Sequence, residues 1–332
     1  MTNMSKRLGA FLGATALTLI AGMGMAQAQT QKHILRMNHV HSPVEAYHSA
    51  FQEWAKRVEE RTNGGLKIEV FHSAQLGNEE DIIEQIRQGA NIGQNTDAAR
   101  LGNYVREIAV LNGPYFVETL DEAFALSKLD IVKKWKTELA DKHGLQVVCF
   151  DFVQGKRHVF ANKPVRNPGE LSGLRIRTPP APIWQESVRA IGAAPTAMSF
   201  GDIYPGLQQR AVDGAELTYA NIRPGNLQEV VRNVSETGHI LLINFEVVSA
   251  SWFKKLPADY QTALVEECSA AGQKVSKVLA DAAESEKAAL VKGGMKVTEN
   301  VDLEAFRKAG DAAYQKLGLT EVRAAVYKEM GR

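Results

Sequence analysis

Polar and apolar positions follow two rhythms along the first hundred residues. Residues 33–38 (HILRMN) read as a short strand, and 66–71 (LKIEVF) alternate with period two, the pattern of a half-buried strand. Between them Tyr47, Phe51, Trp54 and Val58 recur at spacings of four, three and four, which places them on one helix face. Ser42-Pro43-Val44-Glu45 predicts that this helix opens at 42 through a capping box, and Asn63-Gly64-Gly65 predicts its end. Asn78 precedes Glu79, Glu80 and Asp81, acids that suit the positive end of a helix dipole. Gly89 closes that helix, and 90–96 form a third strand. The βαβαβ order predicts an α/β chain with a parallel, doubly wound sheet, whose ligands bind beyond the carboxyl ends of the strands. Asn38, Asp97 and Arg100 fall at those ends.

Helical segments follow between 119 and 143. The apolar run 145–153 has the length of a buried strand and passes through Gly155-Lys156-Arg157 into a second segment, 158–161. A crossing between two lobes is placed near 154. The second lobe is predicted to hold a strand at 174–178, a helix at 183–191 with Trp184, Val188 and Ile191 inward, and a strand at 194–198. A helix capped at Ser199 and a strand at 212–216 complete it. The apolar run 240–251 carries the chain back. Residues 257–290 form a very long helical pattern through Tyr260, Leu264, Cys268, Val275 and Val278. At ~1.5 Å per residue it spans about 50 Å, more than one small lobe. The expected division is 29–154 plus 243–282 for lobe I, and 155–242 plus 283–332 for lobe II.

Composition narrows the function. A net charge of +1 over 332 residues gives no footprint for nucleic acid. Lys6 and Arg7, the apolar stretch 8–25 and Ala26-Gln27-Ala28 read as a cleavable export signal over 1–28, so the mature protein is expected in the periplasm, without membrane insertion. Cys149 and Cys268 are expected as two buried thiols, a single bridge being the alternative in an oxidising compartment. No dinucleotide, phosphate-loop, zinc-protease or serine-hydrolase motif occurs, so no enzyme activity, cofactor or metal is expected. His39, His41 and His48 read as a polar loop beside a helix cap. The acids at 79–81 read as a solvated helix start, with Glu79 kept as a site candidate.

Arg177 is the strongest single candidate. It ends an alternating strand just before Thr178-Pro179-Pro180, where proline must stop the ladder, and its planar fork suits a carboxylate. Three blocks carry a resemblance: NGGLKIEVFHSAQLGNEEDIIEQIRQGA at 63–90, LSGLRIRTPP at 171–180 and GAAPTAMSFGDIYPGLQQRAVDGAE at 192–216. Through them the chain resembles DctP-type substrate-binding proteins of tripartite ATP-independent periplasmic (TRAP) transporters. The resemblance implies a two-lobed, periplasmic-binding-protein-like α/β fold with a ligand cleft between the lobes and a long helix crossing both. It implies capture of a small organic acid by cleft closure and delivery to small and large membrane permease subunits. Presentation to a sensor, or a carboxylate-gripping enzyme, are the alternatives. Position by position it implies that Arg177 pairs with the ligand carboxylate and that Arg157 is a second basic contact. Asn38, Asp97, Arg100 and Phe200 are implied as pocket residues. After V-D-G-x-E the family commonly has asparagine, whereas this chain has Leu217. Thr218 or Tyr219 is then expected to replace that contact, and an organic acid with an apolar part, or a keto or hydroxy acid, is expected over sialic acid and similar polyhydroxylated acids.

Overall fold

The computed structural model describes residues 32–332, so the export signal read at 1–28 lies outside the described residues. The opening units are β1 (His33–Asn38), α1 (Ala46–Arg61), β2 (Leu66–Phe71), α2 (Glu79–Arg87) and β3 (Ile92–Asp97). β1 pairs in parallel with both β2 and β3, the doubly wound arrangement that the βαβαβ order implies. Next come α3 (Ala98–Leu101), α4 (Leu120–Ala125), α5 (Asp130–His143) and β4 (Leu145–Ala161). β5 (Arg175–Thr178), α6 (Pro182–Ala190), β6 (Ala194–Ala197), α7 (Ile203–Gln208) and β7 (Gly214–Leu217) form a second parallel unit. The chain ends with β8 (Asn233–Ser249), α8 (Ala250–Phe253), α9 (Ala258–Lys292), β9 (Lys296–Val297), α10 (Leu303–Lys316) and α11 (Thr320–Glu329).

The strands form one sheet in the order β2-β1-β3-β8-β4-β7-β5-β6, with β9 added to β8. The fold is two-lobed: β1–β3 serve the first half, β5–β7 the second, and β4 and β8 run antiparallel through both. Sequence rhythm splits each of these two strands, because an apolar run ends inside it; the ladder nevertheless continues to Ala161 in β4 and begins at Asn233 in β8. The join is irregular. Val153 lies opposite Ile243, the register then slips, and Gly155 lies opposite Leu242. Gly155 has φ +119, a backbone setting that a side chain would strain.

Each half buries apolar side chains on both faces of its part of the sheet. Tyr47, Phe51, Trp54 and Val58 of α1 pack with Tyr260, Leu264, Ala271 and Val275 of α9 on the first half. Leu290, near the other end of the same helix, packs with Leu217, Ile222 and Met295 on the second. Close approach of α9 to β4 depends on Gly272, where an added Cβ would lie 2.6 Å from the Phe152 ring. Beside it the Ser276 hydroxyl accepts from the Val153 N–H at 2.7 Å, fastening the helix at the join.

Two local expectations change. α1 begins at Ala46, not 42: Glu45 is extended, and its carboxylate reaches back to accept from the Ser42 N–H at 2.7 Å. The Ser42 hydroxyl makes no reciprocal bond, so only half of the capping box forms. Cys149 and Cys268 are not separate thiols but a disulfide that joins β4 to α9 across 119 residues of sequence. Their separation hides the pairing in the sequence; the packing of α9 on β4 creates it.

Candidate functional site

β5 and β7 lie side by side with Arg177 opposite Ala215, and the prolines at 179 and 180 stop β5 at the join between the halves. Arg177 is only 1% exposed. Its Nε donates to the Met198 carbonyl at 2.9 Å, and among the described residues no acceptor pairs with its two terminal amino groups. Burial pulls the guanidinium down to about 9; Glu216 opposes that, while Arg157 and Arg100 add repulsion. The side chain lines an inner chamber of about 40 Å³ between the two halves, with Glu79, Asp97, Arg100, Arg157 and Phe200 also in its wall. A fully buried cation without a carboxylate is costly unless an anion meets it.

The other charges around the chamber are matched. Arg157, on β4, donates through Nε to the Glu216 carboxylate and through a terminal nitrogen to the Glu216 carbonyl, and stands 4.8 Å over the Trp184 ring. Glu216 also accepts from the Thr178 hydroxyl at 3.0 Å. Asp97 caps α3 by accepting from the Arg100 N–H at 2.8 Å, and accepts from Trp184 Nε1 at 3.2 Å. Arg100 binds Glu79 at 2.7 Å, Glu80 at 2.8 Å and Asp97. Burial alone would lower Arg100, but these three carboxylates outweigh it and raise it. Phe200 closes the chamber and also faces an outer vestibule of about 210 Å³.

Three predicted residues stand away from the chamber. Asn38 donates to the Gly77 carbonyl at 3.2 Å and Gln94 Oε1 at 2.8 Å, and accepts from the Leu76 N–H, so it ties down the loop before α2. Leu217 is buried in the core of the second half with Ile203, Leu207 and Ile222. The Tyr219 hydroxyl donates to Glu236 at 2.9 Å, and its ring faces a separate groove under α9.

Comparison with known proteins follows this geometry. The profile of bacterial extracellular solute-binding protein family 7, DctP, matches residues 37–320. The chain belongs to the DctP family. A solute-binding protein of Roseobacter denitrificans is 27% identical over 314 residues, 95% of this chain and 96% of that one. A TRAP periplasmic solute-binding protein of Actinobacillus succinogenes, solved with bound L-galactonate, is 28% identical with a TM-score of 0.85, covering 90% of this chain and 99% of that one. One from Escherichia fergusonii, solved as an apo open structure, is 30% identical with a TM-score of 0.77, covering 89% and 99%. The chain superposes better on the ligand-bound protein than on the apo open one, despite the lower identity of the former. Among the described residues no helix is long and apolar enough to cross a membrane.

Within this DctP protein, several residues in or behind the chamber wall escape a reading of the sequence. Glu216 is a charge inside a four-residue buried strand, a signal that was available. Asn221 accepts through Oδ1 from the Thr218 N–H at 3.2 Å and hydroxyl at 2.9 Å, leaving its amide nitrogen for the chamber. Asn95, Gln154, Trp184 and Asn244 also line it, brought there by tertiary packing alone. Glu79 is pushed up to about 7 by burial, against the pull of Arg100. The folded protein therefore keeps this proton up to about pH 7, whereas the unfolded chain loses it near 4.5, so Glu79's contribution to stability falls as pH rises from 5 to 8. His39, lowered to about 2 first by burial, works in the opposite sense below its ordinary value. Glu79→Gln isolates the first effect. The wild-type minus variant difference in unfolding free energy should decline by on the order of 2–3 kcal/mol between pH 5 and 8 in denaturant melts. A flat difference refutes the assignment.

Proposed function

We propose that this chain is the solute-capture subunit of a TRAP transporter, which seizes a small organic acid through Arg177 and hands it to small and large membrane subunits. The observation that carries the reading is the buried, unpaired Arg177 fork in a chamber closed by both halves of the molecule. A chamber of about 40 Å³ is far below the roughly 300 Å³ of an ordinary ligand pocket, so entry requires the halves to part. The irregular crossing of β4 and β8 near 154 and 243 is where they turn, with lobe I comprising 29–154 plus 243–282 and lobe II 155–242 plus 283–332. Closure excludes water and strengthens the ion pair between Arg177 and the carboxylate. The ligand shifts the population only by its differential affinity for the closed form. The ligand leaves chemically unchanged, and residues 1–28 direct export to the periplasm and are removed.

The test is a thermal-shift screen of the protein, expressed from the full chain and purified from the periplasm of the host, against small organic acids. A ligand at ~100 times its Kd adds about 2.7 kcal/mol. No shift with any acid, or product accumulating in proportion to protein, refutes the reading. Closure also has an internal reporter. Trp184 contacts Asp97 of the first half at 3.2 Å and Arg157 of the second at 4.8 Å. Ligand titration should change tryptophan emission, and Trp184→Phe should remove most of that change while keeping the thermal shift. Retention of the full emission change would place the movement elsewhere.

A further inference from the structure

Resting on the organic-acid reading, we infer that the chamber accepts a ligand with one negative charge, whose far end carries hydroxyl groups instead of a second carboxylate. The argument begins with how the three chamber guanidinium groups are partnered. Arg100 meets the carboxylates of Asp97, Glu79 and Glu80. Arg157 pairs with the Glu216 carboxylate, its Nε and one terminal nitrogen both bonding Glu216. Arg177 alone has no carboxylate, so the wall has room for one carboxylate. A second would have to lie against Asp97 or share Arg157 with Glu216. Like charges brought together in a water-poor site repel strongly.

The neutral groups sort in the same direction. On the second half the free groups are donors: the terminal nitrogens of Arg177, and the Asn221 amide nitrogen, whose oxygen is held by Thr218. On the first half Gln154 offers both a donor and an acceptor, and the remaining free groups are acceptors. The Asn95 amide nitrogen donates to Glu246 at 2.7 Å, which turns its carbonyl oxygen to the chamber, beside the Asp97 carboxylate. Asn244 is partly spent, its oxygen accepting from the Tyr47 hydroxyl at 3.0 Å and its nitrogen donating one hydrogen to the Thr96 carbonyl at 3.0 Å. A carboxylate only accepts, so it suits the donor wall; a hydroxyl donates, so it suits the acceptor wall. A sugar acid oriented with its carboxylate on the second half satisfies both, against the expectation drawn from Leu217, whose side chain packs in the core and not in the chamber wall. The corresponding diacid satisfies only one.

The test uses pairs that share a carbon skeleton and differ at one terminus: galactonate with galactarate, gluconate with glucarate and mannonate with mannarate, with succinate as a short diacid. Calorimetric titration of the periplasmic protein should find the tightest monoacid binding at least about 100-fold more tightly than the tightest diacid. A best ligand that is a diacid, parity within about threefold, or no binding by any of the hydroxylated monoacids overturns the inference. The solute-binding reading survives those results so long as some other acid gives the thermal shift. Glu216→Gln releases the Arg157 fork and should narrow the monoacid preference by at least about tenfold. A purely structural role for Glu216 weakens both classes alike and leaves the ratio unchanged, which counts against the assignment. If that variant does not fold, the wild-type ratios still decide the matter.

Discussion

Arg177→Met should abolish the ligand-dependent thermal shift while raising the melting temperature of the unliganded protein. The two halves of this result have one cause. In the closed arrangement the guanidinium is buried, repelled by Arg157 and Arg100, and paired with no carboxylate. Removing an uncompensated buried charge, while keeping apolar volume, is expected to stabilise the unliganded form by roughly 1–3 kcal/mol. The Nε bond to Met198 is lost, which offsets part of that gain. The same substitution leaves the ligand carboxylate with no cation to receive it, and truncating one partner of a buried charged hydrogen-bonded pair costs about 2–5 kcal/mol of binding. Arg177→Lys should keep little of the response, because a point charge cannot make two parallel bonds to a carboxylate. A variant that melts lower without ligand and still responds to it would show that Arg177 is a structural residue and that the carboxylate binds elsewhere.

What the sequence reveals depends on how local the cause is. α1 and α2 are legible because their apolar faces recur within a few turns, and β1 and β2 are legible from residues within six positions. β4 and β8 are legible only in part. Each changes its surroundings at mid-length, where an apolar run gives way to polar residues such as Lys156 and Arg157 in β4 and Glu236 and His239 in β8. Arg177 announces itself by its position before two prolines. That it would be the unpaired arginine is not legible, because Arg157 and Arg175 look equally free in one dimension. Glu216 removes the first from competition and Asp213 the second, through a 2.9 Å pair at the surface. Leu217 shows the limit of position-by-position transfer. It occupies the place of a family asparagine, yet its side chain packs into the core, while Asn221, four residues on, brings an amide to the chamber.

Replacing Cys149 and Cys268 together with serine, or reducing the native protein, should cost about 3–5 kcal/mol of stability, because the bridge closes a loop of 119 residues and so restricts the unfolded chain. The bridge is buried, so reduction should require partial unfolding and proceed slowly below the melting transition. Its position predicts what it does not do. Cys149 on β4 faces Glu246 of β8 in register, and Cys268 lies among the α9 residues that pack on α1. Both ends therefore belong to lobe I as drawn above, and the bridge fixes α9 to that lobe without spanning the crossing near 154 and 243. Closure should be indifferent to it. The double-serine variant, studied well below its lower melting temperature, should bind its acid within about threefold of wild type, while its urea midpoint falls and its slope rises because the freed unfolded chain exposes more surface. A variant that keeps its midpoint but loses affinity would mean that α9 transmits closure through the bridge, and that the lobe boundary lies nearer the start of the helix than proposed.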